Sequence, residues 1–475
     1  MTTLVAAATS LLVVQGQETI VDYTPENPVH DIMNIAYDLQ AIGDVLEDTH
    51  KPDFDGAFRI YQQGGHSESV AKLELTAGLN FFLDKGAIVT GTSIEGKKVT
   101  GTALKDYKIG DKNIEIFYNQ DHPCSVGGLK DPKLEGCFKD QGELTIVGQT
   151  EPIVYFYNER EDNYNLRTLQ MLSKEAEQEF KVDGVIEQGF FNEFAKFEDY
   201  YGSATYADDI MTAVFRGTKH EFDKHTFDFS GWNNEDRIWF AERGPDFMNI
   251  AMHVVGQLEQ AKNTCTEGCA GDCNAEALEH LDRAVAFYTG ALYEDRHEGN
   301  MLYGLADQMC KLFKTCGWRS DNLEGTSHVN LLSFAKFKDA QAKMKEGKCE
   351  EADVDMRVVA KMVFVPLWQG LLYASYHKLR KEGTVFAVAT LPILAHCSPG
   401  YVEKIYGYFL PDSDKAIHFP YMKKIMEDHY HCIMLDCQTV GGLWNNGKQE
   451  YVCLLLWIKI LPCWRFCSHL SVSLM

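Results

Sequence analysis

Two blocks of this chain repeat each other in the same order, and this duplication constrains the fold more than any other feature. MNIA occurs at 33–36 and again at 248–251, and each copy is followed by the pattern Asp-x-Ala-x-x-(Ile/Phe)-Tyr, which ends at Tyr61 and at Tyr288. The copies lie about 215 residues apart, far beyond the roughly 20–50-residue periods of solenoid proteins. The repeat therefore predicts a duplicated lobe, with related chemistry in each half.

Hydrophobic periodicity places both copies on amphipathic helices. Apolar residues recur at helical spacing through each MNIA block, and Tyr61 and Tyr288 fall on the apolar face of the second helix of their copy. Residues 86–157 differ, because Val, Ile, Thr and Tyr alternate there between glycine-rich turns, which is typical of strands. The pattern predicts a mainly α (α+β) fold, with two related helical lobes and a β-rich insert at about 86–157.

Composition along the chain suggests four segments. Residues 4–14 form an apolar run that is too short to span a bilayer, so we expect 1–16 to be a secretory signal peptide. Residues 17–230 would form the N-terminal lobe and 231–448 the C-terminal lobe, with the turn-rich stretch 216–235 between them. The tail at 449–475 is apolar but interrupted by Lys459, Pro462 and Arg465. It is either a remnant membrane anchor or an error at the end of the gene model, so membrane attachment stays open.

Charge and cysteine content narrow the partners and the compartment. A net charge of −24 argues against nucleic acid and against anionic membrane surfaces. The 14 cysteines are clustered, and close pairs around loops predict local disulfides in an oxidising compartment. The expected local groups are Cys124 with Cys137, Cys265 with Cys269 and Cys273, Cys310 with Cys316, and Cys432 with Cys437. Zinc is an alternative for the three-cysteine group, although its spacing differs from that of the common zinc knuckles.

No common catalytic motif is present. The chain has no P-loop, no dinucleotide-binding glycine fingerprint and no GxSxG. His220-Glu221-x-x-x-His225 resembles a metalloprotease motif, but its histidines are five residues apart and cannot share one helical face. We therefore expect a binding protein and not an enzyme.

Tyrosine, histidine and carboxylate side chains cluster in three places that could hold a hard cation such as Fe(III). In the repeated copies, the candidate ligands are Tyr61 with His66, and Tyr288 with Asp295 and His297. Around a glycine-containing turn, they are Tyr201, Tyr206 and Asp208, while Ser203 and Thr205 could bind a small anion. The alternative is structural, because an inward tyrosine usually fills the core and hydrogen-bonds its hydroxyl.

Four longer stretches resemble one known family. They are YGSATYADDIMTAVFRG (201–217), the stretch 283–317 with AFYTG and LADQMCKLFKTCG, MVFVPLWQGLLYASY (362–376) and CIMLDCQTVGGLWN (432–445). These stretches are similar to the algal iron-assimilatory, or low-iron-inducible periplasmic, proteins, which include the phytotransferrins. The resemblance spans roughly residues 29–445.

The resemblance implies a function and a location. The phytotransferrin branch of this family is associated with high-affinity capture of ferric iron. That capture requires carbonate as a synergistic anion and is followed by endocytosis. We therefore expect a secreted, periplasmic or cell-surface iron-binding protein with Fe(III) and carbonate as ligands and an uptake machinery as partner. The alternative is a stress-induced cell-surface structural or adhesion protein in which the tyrosines only pack.

Overall fold

The computed structural model describes residues 19–451 with gaps at 28, 34, 65–69, 93–95, 97, 104, 119–137, 140, 150, 158–167, 175, 177–191, 271, 291–300, 397, 411–412, 434 and 446. The predicted signal peptide and nearly all of the predicted tail lie outside these residues. So do Cys124 and Cys137 and three of the predicted ligands, His66, Asp295 and His297.

The described residues are mainly helical, as predicted. The helices are α1 (His30–Met33), α2 (Ile35–Leu46), α3 (Phe54–Gln63), α4 (Met171–Lys174), α5 (Asn192–Tyr201), α6 (Tyr206–Arg216), α7 (Asn234–Gly244), a π-helix (Pro245–Ile250), α8 (Ala251–Thr264), α9 (Ala275–Thr289), α10 (Leu302–Phe313), α11 (His328–Lys345), α12 (Cys349–His377), α13 (Arg380–Ala395), α14 (Pro399–Phe409), α15 (Phe419–Asp428) and α16 (Cys437–Val440). Two short 3₁₀-helices cover Asp272–Asn274 and Tyr430–Ile433.

Each repeated copy forms a pair of packed helices, α2 with α3 and α8 with α9. The two pairs do not have separate cores, because buried apolar residues from Ile20 to Leu443 belong to one contiguous cluster. The copies also touch each other directly, since the Asn249 side-chain amide donates to the Tyr61 hydroxyl at 3.0 Å. The described residues therefore do not show two lobes, and the boundary near 230 stays a prediction.

The β-rich insert is a closed six-stranded barrel with a core of its own. Its strands are β1 (Val70–Leu75), β2 (Ile88–Thr92), β3 (Lys98–Ala103), β4 (Asn113–Tyr118), β5 (Gln141–Ile146) and β6 (Ile153–Tyr157), in the order β1-β4-β3-β2-β5-β6. Pairing of β1 with β6 closes the barrel. The insert thus begins at Val70 and not near 86, because Ala71, Leu73 and Leu75 alternate into the barrel interior.

Two short hairpins complete the described strands. The first, β7 (Lys219–Glu221) with β8 (Thr226–Asp228), lies in the turn-rich stretch between α6 and α7. The second pairs β9 (Trp444–Asn445) with β10 (Glu450–Tyr451).

The structure describes three disulfides in full, and Cys437 is also disulfide-bonded, which is compatible with a secreted protein. Cys310–Cys316 and Cys269–Cys273 are local, as predicted. Cys265 pairs with Cys349 across 84 residues, so the cysteine-rich loop after α8 is fixed to the start of α12. All three cysteines of the group that could have bound zinc are therefore used in disulfides.

Helix α12 is the central helix of the α-helical core. It is long and apolar enough to cross a membrane by length and composition, but 83% of its most apolar 18-residue window is buried inside the protein. It packs against α8, α10, α11 and α13. Its apolar length is thus accounted for by contacts within the protein.

Candidate metal-binding site

Tyr61 and Asp208, predicted as ligands in two different motifs, come together in the core. Tyr61 lies near the end of α3, where its side chain is fully buried. Asp208 lies in the first turn of α6 and is 7% exposed. No hydrogen bond of standard geometry joins the Tyr61 hydroxyl to the Asp208 carboxylate, but the carboxylate lies close enough to raise the pKa of the phenol. A phenol and a carboxylate, both hard oxygen ligands, therefore share one buried position.

The segment that leads into α4 positions this pair. The Gln170 backbone N–H donates to the Tyr61 carbonyl at 3.0 Å, which fixes the segment against the end of α3. The Gln170 side-chain amide then donates to Asp208 Oδ1 at 2.9 Å. Lys174 Nζ lies 3.8 Å from Asp208 Oδ2 and supplies a positive charge. Asn249 donates to both the Tyr61 hydroxyl and the Leu169 carbonyl, at 3.0 and 2.7 Å.

Burial controls the protonation of the pair. It raises the pKa of the Tyr61 phenol well above its usual value, and the nearby Asp208 carboxylate raises it further. Burial also raises the pKa of Asp208, while the hydrogen bond from Gln170 and the charge of Lys174 oppose the shift. Tyr61 therefore keeps its proton at neutral pH, and a metal ion that binds the phenolate must displace that proton.

Ser203 and Thr205 directly precede α6, and Thr205 is its N-cap residue. Both hydroxyls donate to Asp209 Oδ2, at 2.7 Å from Ser203 and 3.1 Å from Thr205. The Thr205 backbone N–H also donates to Ser203 Oγ at 3.2 Å. The predicted anion-binding hydroxyls are thus adjacent, as expected, but they hold a carboxylate of the same chain. That carboxylate occupies the end of the helix that favours negative charge.

Tyr201 and Tyr206 lie in an aromatic cluster on another side of α6. Their rings stack with centroids 5.2 Å apart and an interplanar angle of 15°. The Tyr201 hydroxyl lies 2.5 Å from the Tyr406 hydroxyl and donates to the Val388 carbonyl at 3.1 Å. Tyr206 and Asp208 are two residues apart on one helix, so their side chains do not face each other. The predicted set Tyr201, Tyr206 and Asp208 is therefore divided between two environments.

Tyr288, the counterpart of Tyr61, has a different partner. It is fully buried, and its hydroxyl donates to Asn330 Oδ1 at 2.6 Å. Asn330 Nδ2 in turn donates to Asp307 Oδ1 at 2.8 Å. The hydrogen-bond acceptor of Tyr288 is therefore an amide, with the Asp307 carboxylate bonded to the other side of that amide. Burial raises the pKa of Tyr288 well above its usual value.

Sequence reasoning missed Asn249, Gln170 and Lys174. Asn249 lies inside the repeated MNIA block, so the duplication itself was a usable signal for it. Gln170 and Lys174 carry no motif, and only long-range packing brings them to Asp208.

Within the residues that the structure describes, no group of three or more His, Cys, Asp or Glu side chains is arranged to hold a metal ion. Comparisons with protein-family models, with curated proteins and with solved structures give no match to the chain.

Proposed function

We propose that the chain is a secreted or cell-surface ferric iron-binding protein that serves high-affinity iron uptake and has no enzymatic activity. The observation that carries this proposal is that the buried residues Tyr61 and Asp208 are brought close together, because Gln170 donates hydrogen bonds to both. Phenolate and carboxylate oxygens are hard anionic ligands, which suit a small, highly charged cation. The disulfides of the described residues support the extracellular part of the proposal.

Proton release would make iron binding dependent on pH. Because Tyr61 is protonated at neutral pH, iron must displace its proton, and affinity falls as the pH is lowered. Each displaced proton weakens apparent affinity by up to about tenfold per pH unit. Carbonate is the proposed second ligand, at the N-terminal end of α6. There Ser203 and Thr205 could donate to it once they no longer donate to Asp209.

Titration with a ferric chelate, with and without bicarbonate, tests the proposal. We expect a visible tyrosinate-to-iron charge-transfer band that needs bicarbonate and is lost in Tyr61→Phe. Tyr288→Phe is the matched control, because it removes a buried hydroxyl at the equivalent repeat position where the partner is an amide. That variant should keep the band.

Three results would contradict separate parts of the proposal: the binding of iron, the position of the site and the need for carbonate. Absence of the band in the unmodified protein would contradict iron binding and favour the structural or adhesion protein. A band that persists in Tyr61→Phe would place the site elsewhere, and a band independent of bicarbonate would remove carbonate.

A further inference from the structure

A second group of potential ligands lies where the β7–β8 hairpin meets α14. His225, directly before β8, is 6% exposed, and its Nε2 has no hydrogen-bond partner in the described part of the chain. Tyr200 and Tyr406 stack on the imidazole ring, with centroids 4.9 and 5.0 Å away and interplanar angles of 27° and 16°. The two rings fix the plane of the imidazole. The unsatisfied nitrogen is therefore held in one direction.

That nitrogen lies next to a carboxylate that reaches water. Glu403 Oε1, on α14, is 3.5 Å from His225 Nε2, and the Glu403 side chain is 53% exposed. The Tyr200 hydroxyl lies 3.5 Å from the same carboxylate oxygen. Both distances are long for direct hydrogen bonds. A buried imidazole nitrogen thus lies near the oxygen of a carboxylate side chain that is itself half exposed.

The separation suits two ligands of one ion better than it suits a hydrogen bond. If both atoms bound an ion at about 2.1 Å, the 3.5 Å between His225 Nε2 and Glu403 Oε1 would correspond to an angle of about 113°. This is close to the tetrahedral angle that zinc prefers. Water from the exposed side of Glu403 would complete the coordination.

Protonation also favours the ligand form of the imidazole. Burial lowers the pKa of His225 and Lys224 lowers it further, whereas Glu403 opposes the shift. His225 is therefore neutral at neutral pH, as a metal ligand must be. Burial keeps the Tyr200 phenol protonated by raising its pKa, and the ring of Tyr406 is likewise neutral. The group then carries the single negative charge of Glu403, which favours a divalent over a trivalent cation.

We propose that His225 and Glu403 bind a divalent first-row transition-metal ion. This pair includes neither Tyr61 nor Asp208, the two residues that carry the iron proposal.

Zinc alone is the probe, measured by competition with a chromophoric chelator at about pH 7.5, where imidazole is unprotonated. We expect His225→Gln and Glu403→Gln each to weaken one zinc-binding event by at least about tenfold. His220→Gln, on the same hairpin, is the matched control and should bind like the unmodified protein. Tyr61→Phe should also keep zinc binding, so failure of the iron proposal leaves this result unaffected.

Unchanged zinc affinity and stoichiometry in both variants would overturn the proposal, as would the absence of zinc binding by the unmodified protein. Glu403 is half exposed, so Glu403→Gln tests the site even if replacement of the buried His225 prevents folding. Thermal unfolding with and without zinc gives a second readout. Zinc should raise the unfolding temperature of the unmodified protein but not that of Glu403→Gln.

Discussion

At the scale of single residues, Asp246 is the carboxylate whose burial is least compensated. It lies in the first turn of the π-helix and is fully buried, and neither oxygen has a hydrogen bond of standard geometry in the described part of the chain. Burial raises the pKa of Asp246 well above its usual value, although Arg243 and the Leu302 backbone amide oppose the shift. Burial of a poorly paired polar group lowers stability, and π-helices often mark sites where function outweighs that cost.

Asp246→Asn should therefore stabilise the protein at neutral pH by about 1–3 kcal/mol. Because the folded-state pKa of Asp246 is raised, folding retains a proton that the unfolded chain loses above about pH 3.8. The free energy of unfolding therefore falls as the pH rises from the pKa of Asp246 in the unfolded chain toward its pKa in the folded protein. The gain from the substitution should thus vanish below about pH 4.

Urea unfolding of both proteins at acidic and neutral pH measures this difference. Asp55→Asn, at an exposed position, is the control and should change stability little at either pH. A loss of stability on Asp246→Asn at neutral pH would show instead that the ionised carboxylate makes a favourable interaction.

The sequence predicted much about the residues of the candidate site but not their pairing. Helical periodicity placed Tyr61 and Tyr288 in the core, and both are fully buried. Nothing local distinguished them, yet the Tyr61 hydroxyl lies near the Asp208 carboxylate without a hydrogen bond to it, whereas the Tyr288 hydroxyl donates to the side-chain amide of Asn330. The difference arises from partners on α6 and α11, which lie far away in sequence. Residue type and periodicity report which face is buried, but not which distant side chain meets it.

At the scale of elements, α3 and α9 share the pattern Asp-x-Ala-x-x-(Ile/Phe)-Tyr, but the aspartate has a different role in each helix. Asp55 is exposed at the start of α3, whereas Asp282 is fully buried in α9. Asp282 accepts hydrogen bonds from the Tyr23 hydroxyl at 2.5 Å, the Glu26 and Asn27 backbone amides at 2.9 Å each, and Asn27 Nδ2 at 3.0 Å. This single side chain holds the N-terminal segment of the described chain onto α9.

Asp282→Ala should consequently destabilise the protein by about 3 kcal/mol, since it leaves several buried donors without an acceptor. Asp55→Ala is the matched control, because it removes the aspartate at the equivalent repeat position where the side chain faces solvent. It should change the free energy of unfolding by less than about 0.5 kcal/mol. Denaturant unfolding measures both values. Equal effects of the two substitutions would mean that the four hydrogen bonds add little.

Local sequence patterns predicted whether a segment is a helix or a strand better than they predicted the residues at which it begins and ends. The alternation that identified the barrel was recognised from about residue 86, but β1 begins at Val70 and closes the barrel by pairing with β6. That pairing is a long-range contact, so the short VAKLEL stretch gave no sign of its importance. The helical patterns of the repeats, in helices of 10 to 15 residues, were clearer, because an amphipathic stripe several turns long is specific.

At the scale of the whole molecule, the repeat leads to one core and not to two separate ones. The helices of both copies contribute to a contiguous set of buried side chains, and Asn249 of one copy binds Tyr61 of the other. Sequence similarity between two segments predicts similar elements. It does not predict whether those elements pack within each copy or across the copies, because that depends on surfaces outside the repeated blocks.

Stability of this shared core should depend on Cys265–Cys349 more than on a local disulfide. Its sulfurs join α8 to α12 across 84 residues, whereas Cys269–Cys273 in the same loop spans four. In the chain-entropy description, closing the long loop contributes about 4–5 kcal/mol and closing the short one about 2 kcal/mol. Replacement of each pair by alanine, followed by denaturant unfolding under oxidising conditions, measures both contributions. Equal losses of unfolding free energy in the two variants would contradict this prediction. They would show that the 84-residue loop closed by Cys265–Cys349 does not restrict the unfolded chain more than the short loop does.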